Sequence, residues 1–256
     1  MASTIPMPTT LLIALIIGLG TYFQTVTGFG LAMIVIGLSS LLKLAPVAFL
    51  ATVISLLTIV NGTVALRGKH HLIHWPSTWA VLVGVVPSTV AGLMLLDYLS
   101  SQASLLLEFL LGLVIMYSGI SYALKSPVRN RMSGSLSFFL SGVLTGLCGG
   151  LFGIPGPPII FQLYRQPLEF PTVRHMLLLI FSTTSAVRCA HEWAIGELQT
   201  SAIWTAAIAM PLVMLATWIA QRHPPPVRPS TLQRLTLIIL VLIGLSLCLP
   251  ALKAWL

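Results

Sequence analysis

The chain has 256 residues, 57% of them hydrophobic and only 7% charged, with a mean hydropathy of +1.00. Soluble domains carry about 25% charged residues, so an ordinary soluble fold is excluded and most of the exterior must face lipid. The net charge of +8 would suggest nucleic acid in a soluble protein. Here no basic run is interleaved with aromatics, and Lys and Arg gathered in cytoplasmic loops account for the charge.

Eight apolar stretches follow one another: 9–42, 46–66, 76–96, 102–124, 134–164, 172–196, 201–220 and 231–249. Each has the ~20 apolar residues a spanning helix needs. They are too continuously apolar for the alternating strands of a barrel. The expected fold is therefore an all-α integral membrane protein, with residues 1–256 forming a single transmembrane transport domain. The first ten residues hold no Lys or Arg, so no secretory signal peptide is expected.

The first stretch is too long for one straight span: 34 residues make ~50 Å of helix against a hydrocarbon core of ~30 Å. It is broken at Thr25-Val26-Thr27-Gly28-Phe29-Gly30, which predicts two half-length helices meeting at a bend. Irregular backbone at membrane depth is tolerated where protein buries it or where it lines a wet cavity. The second arm would begin near Gly30 and aim its N–H-bearing, positive end at the membrane centre, where it favours an anion. Gln24, Thr25, Thr27, Gly28 and Gly30 are therefore candidate substrate contacts. The competing reading is that such glycines only permit close helix packing.

The second stretch, headed by Pro46, carries Thr58 and Asn61. A lone amide in lipid is costly, so both residues are substrate candidates. A basic break follows, Arg67-Gly68-Lys69-His70-His71, with His74 just beyond. Three histidines can bind zinc, but no Cys or acidic partner is near, and no metal or other cofactor is expected. Glu108, early in the fourth stretch, is expected to reach the interface.

The fifth stretch is broken like the first, at Cys148-Gly149-Gly150-Leu151-Phe152-Gly153-Ile154-Pro155-Gly156-Pro157-Pro158. Gly149, Gly150, Gly153 and Gly156 join the candidates, with a second arm expected from near Pro158. The sixth stretch opens with Arg174 and His175 and holds the polar tract Ser182-Thr183-Thr184-Ser185 near mid-membrane. Arg174 is a candidate for anion capture, and Thr183 and Thr184 for substrate binding. Ser and Thr bonding back to their own helix is the competing reading. Arg188 and Glu192 stand four apart, on one helix face. With His175 they are candidates for gating or ion coupling; an interfacial pair with snorkelling side chains is the alternative. Cys148, Cys189 and Cys248 lie in separate stretches and read as small buried hydrophobes.

The chain repeats weakly at an offset of 125 residues: Gly28 falls on Gly153, Pro46 on Pro171, Thr58 on Thr183, Gly119 on Gly244 and Ser121 on Ser246. The expectation is two four-element repeats, 9–124 and 134–252. Each consists of a Gly/Pro-broken re-entrant helical hairpin plus three transmembrane helices. If the broken stretches enter and leave on one side, ten basic residues from Arg67 to Arg234 share one face, a positive-inside pattern. Three crossings per repeat then invert one repeat against the other, and both termini lie in the periplasm. Such repeats are common in transporters working by alternating access. No HExxH, Walker A, GxSxG or carboxylate pair is present, and five acidic residues leave little for acid–base catalysis, so an enzyme is not expected.

The two Gly-rich breaks, each followed by an apolar helix and a Pro-headed helix, resemble the sulfite exporter TauE/SafE family of membrane permeases. Gly149-Gly150-Leu151-Phe152-Gly153-Ile154-Pro155-Gly156-Pro157-Pro158 with Arg174 beyond is the closer copy, and Thr27-Gly28-Phe29-Gly30 the thinner one. The resemblance spans essentially the whole chain. It implies secondary transport of sulfur-containing or organic anions (sulfite, thiosulfate, sulfonate, sulfoacetate) across a bacterial plasma membrane. A fixed-pore anion channel is the alternative, and a membrane-embedded enzyme a weaker one. The expected partners are the lipid bilayer and a small anionic solute, with no nucleic acid. Coupling to H+ or Na+ and assembly as a homodimer are left open.

Overall fold

The structure is a computed structural model and describes residues 7–42, 44–102, 109–110, 112–114, 116–117, 128–222, 241 and 245. The expected spans at 102–124 and 231–249 lie largely outside these residues, as do Glu108 and Cys248. Every regular element among the described residues is helical. In chain order they are α1 (Met7–Thr27), α2 (Leu31–Leu41), α3 (Val47–Leu66), a short 3-10 turn (His70–Leu72), α4 (Trp75–Gln102), α5 (Ser135–Phe152), α6 (Gly156–Tyr164), α7 (Phe170–Ala194) and α8 (Thr200–Arg222). Four of them, α3, α4, α5 and α8, are long and apolar enough to cross a membrane. α7, at 25 residues, is longer than three of these but carries Arg174, His175, Arg188, His191 and Glu192 along its length.

Both expected breaks are present, between α1 and α2 and between α5 and α6. The arms are unequal, however. α1 and α5 have 21 and 18 residues, or ~30 Å each, whereas α2 and α6 have only 11 and 9. The bends thus stand near the ends of full-length helices rather than halfway along the stretches. At each bend the chain doubles back. A Cβ on Gly20 of α1 would lie 3.0 Å from Leu31 and 3.3 Å from Val35 of α2. The second hairpin is tied at its base, where Gln162 Nε2 donates to Ser137 Oγ at 2.9 Å and the Arg129 N–H to the Arg165 carbonyl at 2.8 Å.

Packing respects the 125-residue offset, which carries α1, α2, α3 and α4 onto α5, α6, α7 and α8. α4 packs along α5 and α1 along α8; α3 meets α8 and α7 meets α4; α2 rests on α3 and α6 on α7. α3 and α7 pack on each other. α1 and α5, the longer arms of the two hairpins, thus each rest on a helix of the other half, α8 and α4. Internal prolines fall at nearly matching places, Pro87 in α4 and Pro211 in α8.

The described Lys and Arg side chains other than Arg188 gather at one end. Lys69 Nζ donates to Gln221 Oε1 at 3.4 Å and lies beside Arg174. At the other end lie Asp97 in the last turns of α4, Glu192 in the last turn of α7 and Glu197 just beyond it. Exposed aromatics mark both levels: Trp75, Trp79 and Trp218 near the basic end, Tyr98, Trp193 and Trp204 near the other. Such girdles sit where bilayer meets water.

Candidate functional site

α1 ends because Thr27 turns its hydroxyl onto the Phe23 carbonyl at 2.8 Å and Gly28 and Gly30 take positive φ angles of 92° and 113°. A side chain at Gly30 would be strained in backbone and would also press on the Phe23 ring at 2.7 Å. α5 ends at Gly153, whose φ of 67° forms a left-handed cap, with its N–H on the Gly149 carbonyl at 3.0 Å. The bends pack reciprocally. Gly28 lies against the Cα of Arg174 in the first turns of α7, and Gly153 against Ala51 in the first turns of α3.

One cavity joins the two bends. Gln24, Phe29, Gly30 and Met33 line it from the first hairpin, and Gly153, Ile154, Pro155 and Gly156 from the second. α3 contributes Ile54 and Thr58, and α7 contributes Phe181 and Ser185. The space open to water centres is about 20 Å³, room for one or two waters. In this conformation it is too small for a larger solute.

Of the residues singled out in sequence, Gln24, Gly30, Thr58, Gly153 and Gly156 meet at this cavity. Gln24 is 3% exposed and Thr58 5%. Ser185, the last residue of the Ser182-Thr183-Thr184-Ser185 tract, is the member that reaches the cavity. The Gln24, Thr58 and Ser185 side chains form no hydrogen bond to another described residue. Most of their buried neighbours bond back to their own helices. Thr183 and Thr184 do so, to Leu179 and Ile180, and neither lines the cavity.

Other candidates lie at helix contacts away from the cavity lining. Thr25, Asn61 and Thr217 form a knot where α1, α3 and α8 cross, with both hydroxyls within 3.0 Å of Asn61 Oδ1. Each hydroxyl also bonds to its own helix, at Thr21 O and Val213 O. A hydroxyl has one proton, so turning the Asn61 amide to donate to both oxygens satisfies this knot best. Gly150 faces α4, its Cα side against Thr89 and Gly92, and Gly149 sits under Thr184 and Pro155.

Arg188 and Glu192 are buried, at 3% and 8% exposure, which excludes the snorkelling alternative. Arg188 Nε lies 2.9 Å from Glu192 Oε1, an ion pair whose N–H is not aligned as a hydrogen bond. Arg188 Nη1 donates to the Gly150 carbonyl at 2.8 Å, and Thr52 Oγ1 donates to Glu192 Oε2 at 2.9 Å. The pair thus joins α7, α5 and α3. At the basic end, His175 holds its Nδ1 proton on the Pro171 carbonyl at 2.6 Å. Desolvation, then the neighbouring Arg174, push the Lys69 ammonium below the usual lysine range. No group of three or more His, Cys, Asp or Glu suited to a metal occurs among the described residues.

A family model described as "Sulfite exporter TauE/SafE" matches residues 12–247. The chain belongs to this family. A protein of Cupriavidus necator named "Probable sulfite/organosulfonate exporter TauE" is 49% identical over 240 residues, 94% of each chain. No solved structure matches the chain. Membership makes this chain a multi-pass membrane permease of anions rather than an enzyme.

Proposed function

We propose that this TauE/SafE-family permease is a secondary transporter carrying sulfur-containing or organic anions across the bacterial plasma membrane by alternating access. The carrying observation is a cavity bounded by both bends, with three polar side chains that have no described partner. Its small volume, with no room for a whole anion in this conformation, supports a cycle of widening and narrowing over a permanently open pore. The paired helix contacts support two inverted repeats, with each hairpin re-entrant from its own side. The gathering of basic residues at one end supports placing that end in the cytoplasm. Arg188 with Glu192, and His175, are the gating or coupling elements of this cycle, driven by H+ or Na+.

Reconstituted protein tests the site. Gln24→Leu, Thr58→Val and Ser185→Ala each remove one donor to a bound anion, and such a bond contributes about 1.5–3 kcal/mol. Uptake of labelled sulfonate or sulfite at low concentration should fall roughly tenfold or more for each. Wild-type rates in all three variants would place the path elsewhere.

Lys69 and Arg174 form a positive approach to the first bend. Neutralising Lys69 as Gln should slow uptake at low ionic strength. The difference should fade as salt shortens the Debye length to ~8 Å at physiological strength. A deficit unchanged by salt would point to a structural role for Lys69.

A further inference from the structure

The apolar side chains around the cavity differ in their freedom to move. Phe29 is held edge-on between the rings of Phe23 and Tyr164, with centroids 6.1 and 6.4 Å away. Ile54 and Ile154 are β-branched and stiff at χ1, and Pro155 is a closed ring. Met33 is unbranched and turns about three side-chain bonds. It is 2% exposed, so its whole length lies inside the protein.

Met33 also spans the gap between the hairpins. It stands in the first turn of α2, and its Cε reaches Gly156, the first residue of α6. A Cβ on Gly156 would collide with that methyl and would lie 3.0 Å from Ile160 Cδ1 and 3.9 Å from Phe181 Cζ. Gly156 is not among the glycines of positive φ. The backbone therefore does not require glycine there; the methionine methyl seated on it does. The 125-residue offset carries Met33 onto Pro158, whose short ring cannot make the return reach. The bridge thus runs one way, from the first hairpin to the second, and ends beside only about 20 Å³ of open space.

We infer that Met33 is the plug of the transport site. Its thioether closes the space between the hairpins against Gly156 and swings aside to admit a solute, so the bulk at position 33 sets the largest solute that passes. This rests on the transport site proposed above and adds a size determinant to it. Gln24, Thr58 and Ser185 supply the donors, and Met33 supplies the obstruction.

Uptake by reconstituted full-length protein is measured with labelled methanesulfonate and benzenesulfonate, which share a head group and differ in bulk. Met33→Ala leaves the thioether's space empty. It should raise benzenesulfonate uptake relative to methanesulfonate by roughly tenfold or more. A methyl at position 156 meets the ends of side chains and no backbone, so Gly156→Ala should fold, with Met33 pushed into the cavity. Methanesulfonate uptake should then fall by roughly fivefold or more, and adding Met33→Ala should restore it, because both changes act on one contact. Should Met33→Ala not fold, Met33→Leu, one atom shorter in reach, replaces it in the pairing. Parental size preference in the position-33 variants would overturn the plug, as would a Gly156→Ala loss that persists without the methionine. The site itself stands in either case if Gln24→Leu still lowers uptake. Parental uptake in every variant, Gln24→Leu included, would overturn the plug and the site together.

Discussion

Replacing Arg188 with Met lowers the stability of the folded protein by about 3–5 kcal/mol, the usual cost of stranding one member of a buried ion pair. The guanidinium lies between two negative features. One is the Glu192 carboxylate, 2.9 Å away, and the other is the Gly150 carbonyl at the end of α5, at 2.8 Å. Without it, the Glu192 carboxylate keeps the Thr52 hydroxyl alone among the described residues, and the buried Gly150 carbonyl loses its side-chain donor. At 8% exposure the carboxylate has little water to replace what is lost. Arg188→Met with Glu192→Leu removes both charges, and most of the stability should return. Denaturant unfolding of the purified variants measures both effects. An unchanged midpoint in the single variant would mean that the pair does not hold α7, α5 and α3 together. A fully stable double variant that no longer transports would separate the pair's role in the cycle from its role in the fold.

Much of this arrangement is legible from composition and spacing, because the signals involved are local. The Gly and Pro clusters mark both bends, the apolar runs mark the helices, and the scatter of Lys and Arg marks one end. What cannot be read is helix rotation. A surface helix shows its inward face by polarity, but α3 is apolar nearly all round, so its sequence does not say which way Thr58 points. Successive residues of α7 turn by about 100°, so Thr183, Thr184 and Ser185 face three directions, and only packing selects Ser185. Asn61 is conspicuous as a costly amide, but its partners stand 36 and 156 residues away, beyond any spacing rule. The unequal hairpin arms escaped for a related reason. A glycine break locates a bend along the chain and says nothing about how far the preceding helix penetrates.

The glycines of α5 separate two roles that look alike in sequence. Gly142 and Gly150 stand eight residues apart on the α5 face that meets α4, with Gly84 and Gly92 opposite. A Cβ on Gly142 would collide with the Val81 carbonyl, and one on Gly150 with the Thr89 carbonyl and, at 2.8 Å, with Gly92 Cα. Backbone atoms cannot turn aside as a side chain can, so the two helices must move apart along their whole contact. Gly142→Ala and Gly150→Ala should each destabilise the protein by about 1–3 kcal/mol, the cost of overpacking. Gly150→Ala should stand at the upper end, since its carbonyl also receives Arg188. Gly134→Ala has nothing within 4 Å and should stay within about 0.5 kcal/mol of the parent. Gly18, on the corresponding α1 face, meets only the flexible Leu212 side chain, at 3.4 Å; alanine there should be tolerated. Unfolding midpoints and anion affinity together decide the matter. If Gly150→Ala weakens the anion while the midpoint holds, Gly150 belongs to the binding site. If the midpoint falls and the surviving folded protein binds normally, its work is to let α5 lie flush against α4, with Gln24, Thr58 and Ser185 left to meet the solute.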